Sequence, residues 1–465
     1  MFEQREDQDR QEEFWVERKS LPRATPNAFY RKLDRTLKNM GFAESVREIC
    51  RPAYAEAEKG GRPGIDPAVY FKMLMVGFFE NLPSERSIAS RCADSLSLRT
   101  FLGYDLSEET PEHSSFTVIR QRLSLEQFQQ CHEVVLRGLR SAGLLKGKDL
   151  GIDSSVMEAN ASLRELVKRN TGQAYFDYVK ELAKAAGIDP EDTKAVRQFD
   201  KKREGRKTSN EEWVNPHDPE AKVSRNKQGA TDMLYKPEHV TDLESGAIVR
   251  AEVRPGDAGD TQGFTDRMLE ASATLGRVCD DPRQEKVGKS VTADEGYFSA
   301  EQAVALQGEG FRTVIGDPHV AKRNKDAQPS VVREALGKAR RAVNSKSGKA
   351  LLRKRGEHLE RSFAHLLDQG GMRRATLKGC EELSKRHVAA AMTYNLSLLM
   401  RATCGVGTPK QWMASVSSAA ESVFRAITAT ITTQIEPCRL PNGLHPIFRR
   451  RGFNLLAILQ IKHPQ

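Results

Sequence analysis

Three carboxylates in this chain stand where strand ends and a facing helix could bring them together. In VTADEGYFSA (291–300) the residues alternate like a strand up to Asp294. Gly296 then breaks the pattern, and Ser299 is placed to cap a following helix. In KDLGIDSSVMEANAS an apolar core, LGI, ends at Asp153. The helix GEHLERSFAHLLDQ (356–369) has an apolar stripe of Leu359, Phe363, Leu366 and Leu367. Glu360 lies three residues before Phe363, and that spacing predicts that it faces the sheet. Buried carboxylates are costly unless a cation meets them. Asp294, expected at the end of a buried strand, therefore calls for a metal, with Asp153 and Glu360 as its companions. Two divalent ions about 3.5–4 Å apart activate an attacking oxygen and stabilise a leaving one in phosphodiester chemistry. Mg2+ takes oxygen ligands, only a few of them from protein.

Other acids compete for the role. Glu357 lies one turn before Glu360, near the expected helix start, where acids simply favour the dipole. Asp218 in NPHDPEA and Asp260 in GDAGDT read as loop and cap residues, and Asp317 in IGDP closes a strand. Glu295, next to Asp294, points to the opposite face if the strand continues. The histidines show no HExxH spacing, and Ser154 and Ser155 have no evident histidine partner. The chain has no GxxxxGK[ST] loop, so no nucleotide cofactor is expected.

The elements that must position these acids follow from periodicity. A strand ends at Asp153, and MLYKPEHVTDLESGAIVRAEVRPG (233–256) reads as two strands joined at Glu244-Ser245-Gly246. A helix (261–276), the strand into Asp294, a helix (299–309) and the strand FRTVIGD (311–317) follow. This order is an α/β fold on the ribonuclease H-like plan, a mixed sheet flanked by helices, in which the strands bearing Asp153 and Asp294 are neighbours. Residues 162–232 hold a helix at 175–187 and otherwise read as a polar insertion or loop. Helices at 356–369 and 386–402 complete this domain, expected over 146–402, and 403–465 forms a tail.

Residues 1–145 read as an all-helical N-terminal domain. Pro67 after Asp66 opens the helix 67–82, and 84–103 follows through the short NLPS junction. In TPEHSSFTVIRQRLS (110–124), Ser114 or Ser115 is placed to cap a helix presenting Thr117, Arg120, Gln121 and Arg122. Such a helix could read a DNA groove and grip phosphates through Arg120 and Arg122. Residues 318–355 carry twelve Lys and Arg against two acids, so their excess equals the +10 of the whole chain. The run includes Lys322, Arg323, Arg340 and Arg341 and lies between candidate catalytic elements, which favours contact with a polyanion.

The chain has 465 residues, 38% hydrophobic and 29% charged, enough for two or three domains. No apolar run reaches the ~18 residues of a membrane span, and the charged N-terminus has no signal-peptide h-region. Seven cysteines without a CxxC pair argue against a disulfide framework and a zinc site. A reducing, cytoplasmic location fits best.

Several stretches together resemble the DDE transposases of bacterial insertion sequences, in the group with a Tyr–Arg–Glu–Lys signature. They are GIDSSVMEANAS, NPHDPEAKVSRNKQGATDMLYKPEHVTDLESGAIV, VTADEGYFSAEQ, RKRGEHLERSFAHLLDQGGMRRATLKG and RHVAAAMTYNLSLLMR. Upstream, RPGIDPAVYFKMLMVGFFENLPSERSIASRCADSLSLRTFLG and TPEHSSFTVIRQRL resemble the helical N-terminal domain of the same elements. The resemblance implies Asp153, Asp294 and Glu360 as the catalytic, metal-binding acids. It implies two Mg2+ ions, with Mn2+ able to substitute. Its Arg falls on Arg355. Where the signature has Lys this chain has Leu367, and Leu351 or Leu352 stands near its Tyr. Arg361, Arg373, Arg374 or Lys378 could then take over phosphate contacts. The implied activity is binding of terminal inverted repeats, cleavage at the element end and strand transfer into target DNA. The implied partners are double-stranded DNA and a second copy of the chain, in the bacterial cytoplasm at the nucleoid. The alternatives are a non-catalytic DNA-binding remnant and a nuclease of the same fold.

Overall fold

The computed structural model describes residues 27–54, 64–205, 208–226, 228–281, 283, 285–319, 329–415 and 417–418. Residues up to Pro409 form one compact unit, and those from Lys410 a second. Lys322, Arg323 and the tail beyond 418 lie outside the described residues.

The first unit opens with seven helices: α1 (Ala28–Asn39), α2 (Phe42–Tyr54), α3 (Pro67–Phe79), α4 (Glu85–Asp94), α5 (Leu96–Leu102), α6 (His113–Arg122) and α7 (Leu125–Ser141). Asp66 caps α3 through the Ala68 amide with Pro67 at its first position, and Ser124 and Gln127 close a capping box on α7. The expected serine cap of α6 is not used. That helix starts at His113, and its Glu112 cap makes no side-chain hydrogen bond.

The sheet follows with β1 (Asp149–Ser154) and the short β2 (Met157–Glu158). An excursion holds β3 (Val167–Lys168), α8 (Tyr175–Ala185), α9 (Thr193–Lys202), β4 (Trp213–Val214) and β5 (Lys222–Arg225). The hairpin strands β6 (Thr231–Asp242) and β7 (Ile248–Pro255) turn at Gly246, whose φ of 74° suits glycine. Then come α10 (Phe264–Val278), β8 (Ser290–Thr292), α11 (Ala300–Gly308), β9 (Arg312–Val314), α12 (Ser330–Asn344), α13 (Lys346–Phe363) and α14 (Cys380–Cys404). A π-helical turn, Ala364–Gln369, continues α13.

β1 pairs antiparallel with β6 and parallel with β8. β6 pairs antiparallel with β7, and β8 parallel with β9. The order β7-β6-β1-β8-β9 is therefore third, second, first, fourth and fifth of the core strands, as the ribonuclease H-like plan requires. Leu150, Ile152, Val240, Val249 and Val291 bury their side chains with Phe264, Met268, Leu275 and Leu139 in one core. The long α14 packs against β7 on one side and α3 and α7 on the other. Its Asn395 closes two hydrogen bonds with the Ile248 backbone (2.8 and 2.9 Å) and a third with His132. The N-terminal helices and the sheet thus share a central helix.

Two expectations change. The stretch 162–232 holds the expected helix as α8, but its described residues are an ordered insertion rather than a loop: Trp213 stacks edge-on to Tyr175 and near Tyr178, and Val179, Ala183 and Val196 form a small second core. Polar composition hid it because few apolar residues suffice for a two-helix cap. The helix expected from Gly356 starts ten residues earlier, at Lys346, where Ser345 caps the Gly348 amide. Much of the basic run is therefore α12 and the first half of α13.

Candidate active site

Asp153 and Asp294 do meet. They sit at the same end of the neighbouring parallel strands β1 and β8, where open α/β sheets place ligands. A single nitrogen of Arg355, Nη2, lies 2.9 Å from Asp153 Oδ1 and 3.4 Å from Asp294 Oδ2. Arg355 comes from α13 and also donates Nε–H to the Ile152 carbonyl (3.3 Å).

Asp294 is not buried: its side chain is 48% exposed, against 23% for Asp153. The reason is local. β8 ends at Thr292, and Asp294 caps a 3-10 turn, Glu295–Tyr297, by accepting from the Gly296 amide. The turn is pinned from below, where Tyr297 donates to Glu238 Oε2 (2.8 Å). Glu238 is itself 1% exposed and paired with Arg254 and Arg267. Burial raises the Glu238 pKa, and the two arginines oppose that shift.

Glu360 is exposed, and its carboxylate has no ion-pair partner among the described residues. The expectation that it faces the sheet is therefore corrected. The buried stripe of α13 is centred on Arg355, Leu359 and Ser362, with Leu366 beyond; Phe363 lies at its edge. At 100° per residue Glu360 falls about 140° around the helix from Arg355. Among the described residues no three His, Cys, Asp or Glu side chains converge as a metal cluster. The chemistry of the Asp153–Asp294 donor set nevertheless fits a hard divalent ion: two carboxylate oxygens converge on one cationic nitrogen, with an open side at Asp294.

Asp260, which reads in sequence as a loop residue, is brought to the site. It accepts from Ser154 Oγ (3.1 Å) and pairs with Lys236 (2.6 Å). A Cβ on Gly296 would lie 3.2 Å from both Asp260 Oδ2 and Asp294 Oδ1, so the two carboxylates flank the turn closely. The signal available was a polar turn directly after β7, at the sheet end that carries Asp153. Glu295 reaches instead towards Gly316, at the mouth of a cavity of about 570 Å3 lined by Phe298, Asp317, Arg333, Arg340 and Arg341.

Behind Asp153 lies an unexpected histidine pair. His239, opposite Asp153 in the ladder, contacts Ser362 Oγ through Nδ1 (2.8 Å) and His387 Nε2 through Nε2 (2.7 Å). Ser362 donates its hydroxyl to the Leu359 carbonyl, so it accepts from His239 Nδ1–H. His387 Nε2–H must then donate to His239, leaving His387 Nδ1 as the buried atom without a partner. Both rings are held neutral by burial, His387 with a pKa lowered to about 4. This bond network locks α13 to the strand that backs Asp153.

The expected DNA-contacting arginines divide. Arg120 is a correction: its side chain is 7% exposed and bridges Glu85 and Glu382 (2.6 Å), tying α4, α6 and α14. A guanidinium already shared by two acids inside the fold does not face a phosphate. Arg122 is exposed, its guanidinium 4.7 Å over the Tyr54 ring. Arg340 and Arg341 are exposed on α12, and Arg374 is exposed too. Arg361 pairs with Glu357 (2.7 Å), and Arg373 with Asp368 (2.5 Å).

The strand order and the flanking helices define a ribonuclease H-like fold, with two acids paired at the ends of neighbouring strands. Residues 19–122 match the family described as Transposase domain (DUF772), and residues 198–396 match Transposase DDE domain. The two matches together span more than half of the chain, and the chain belongs to the DDE transposases of insertion-element type. No curated protein matches it. Among solved structures it is similar to the "Mos1 transposase paired-end complex with left transposon end", at 11% identity, over 67% of this chain and 82% of that one. The TM-score of 0.18 gives that likeness no weight here. No helix among the described residues is long and apolar enough to cross a membrane.

Proposed function

We propose that this transposase binds the terminal inverted repeats of an insertion sequence, cuts at the element end and joins the freed 3′ end to target DNA. The observation that carries this reading is the meeting of Asp153 and Asp294 across one cation at the ends of neighbouring parallel strands. Asp153 and Asp294 would hold the divalent ions, Mg2+ or Mn2+, two by analogy with the family. Glu360 is the third acid by its place in the signature. Such ions, held by Asp153 and Asp294, would supply activation of the attacking oxygen and charge neutralisation at the leaving one.

The chain's own residues do the rest. The turn at Asp294, braced by Tyr297 and Glu238, fixes one carboxylate, and β1 fixes the other. Arg122, Arg340, Arg341 and Arg374, with Arg361 and Arg373 in surface ion pairs, are exposed cations that DNA backbones could engage. A homodimer holding two ends, at the nucleoid in the cytoplasm, belongs to the same reading.

The test is a labelled duplex ending in the repeats that flank the gene, incubated with protein and Mg2+, Mn2+ or EDTA. Metal-dependent cutting at the repeat boundary, followed by joined products and lost in Asp294→Ala, is expected. Cutting without joining would make the protein a nuclease. Tight binding without cutting, unchanged in Asp294→Ala, would make it a DNA-binding remnant.

A further inference from the structure

We propose that Arg355 is a resident counter-cation of the aspartate pair, and that a divalent ion enters the site only by displacing it. This rests on the metal-dependent reading above. One nitrogen of Arg355 serves both carboxylates, at 2.9 and 3.4 Å. An ion bound between Asp153 Oδ1 and Asp294 Oδ2 would sit about 2.0–2.1 Å from each, so ion and guanidinium nitrogen could not share that space. The two states are exclusive by size as well as by charge.

The hold is built to be exchangeable. Nη2 forms no well-aligned hydrogen bond, although it is close to two acids. Its one backbone contact, Nε to the Ile152 carbonyl, is long at 3.3 Å. The Arg355 side chain is 14% exposed, whereas Asp294 is 48% exposed, so a competitor approaches from the Asp294 side. Without any cation, two carboxylates facing each other would repel and splay. Arg355 therefore keeps the pair assembled in the metal-free chain and makes metal entry an exchange of one cation for another. The displaced guanidinium is left without a counter-charge beside the site. A DNA phosphate is the anion that can take it, which couples metal affinity to DNA.

The test uses the full chain and Mn2+ titration followed by the loss of the free-ion EPR signal, with and without duplex DNA. Arg355→Gln, which removes the charge and keeps a polar side chain, is expected to bind Mn2+ about tenfold more tightly than wild type without DNA. Arg355→Lys, which retains the charge, is expected to stay near wild type. DNA is expected to tighten Mn2+ binding in wild type more than in Arg355→Gln. Thermal melting confirms that each variant is folded. Equal or weaker Mn2+ binding by Arg355→Gln overturns the proposal. Asp294→Asn separates the two layers. If it abolishes Mn2+ binding while Arg355→Gln gains nothing, only the exchange role falls. If it changes nothing, the metal reading falls and the exchange role with it.

Discussion

Arg120 and Arg355 are alike in one respect and opposite in another. Each is a nearly buried arginine bridging two carboxylates, Glu85 and Glu382 for one, Asp153 and Asp294 for the other. The carboxylates of Arg120 are 16% and 26% exposed and come from helices packed together inside the unit. Those of Arg355 are 23% and 48% exposed and sit at a sheet end. The same ion-pair pattern is a rivet in the first place and an exchangeable plug in the second. What separates them is whether a competitor from solvent can reach the acids.

Substitutions sharpen that contrast. Asp294→Asn takes a carboxylate charge from the proposed metal site but no packing. It is expected to cut single-turnover cleavage about a thousandfold, several kcal/mol of transition-state stabilisation, with melting nearly unchanged. Arg120→Ala is expected to do the reverse. It removes the ion-pair partner of Glu85 within the fold, leaves Glu382 to Lys385 alone, and costs about 3 kcal/mol of stability, measured by urea denaturation. Arg355→Gln is expected to cost no more than about 1 kcal/mol in the same measurement, because Asp294 remains in contact with water. Equal losses for the two arginines would break the comparison.

Acidification probes the frame between these two regions. His239 and His387 are buried neutral, with pKa values pushed below the ordinary 6.5. Their folded values are depressed, so the unfolded chain takes up protons first. The stability they contribute is whole above about pH 6.5 and is lost as pH falls towards 4, by a few kcal/mol in all. His387→Gln is expected to flatten this part of the stability–pH curve, read from urea midpoints between pH 4 and 7. The smallest effect belongs to the surface. Arg340→Ala and Arg341→Ala are each expected to lower the salt-dependence slope of DNA binding by about one, uniformly across sequences.

Strand-end acids were the most legible part of the chain. Alternation up to Asp153 and Asp294, with a glycine break after the second, fixes which end of the sheet they occupy, and strand order makes them neighbours. Helix-borne residues were harder. The position of Glu360 relative to Phe363 is compatible with a place on the apolar stripe, yet the stripe's centre runs through Arg355 and Ser362, two polar residues that sequence reading counts as surface. Arg120 misled for the same reason: an arginine on an amphipathic helix reads as exposed, and its partners Glu85 and Glu382 lie 35 and 262 residues away. Asp260 and the His239–His387 pair are legible only in three dimensions, since their contacts join β1, β6, α13 and α14.

Cysteine substitution with metal switching tests the central claim most directly. Asp294→Cys replaces a hard oxygen ligand with a soft thiolate, which Mg2+ accepts poorly and Mn2+ better. Cleavage at the element end is predicted to vanish with Mg2+ and to return in part with Mn2+, while wild type cuts with both. Full activity of Asp294→Cys in Mg2+ would contradict the account, because the carboxylate at the end of β8 would then hold no metal.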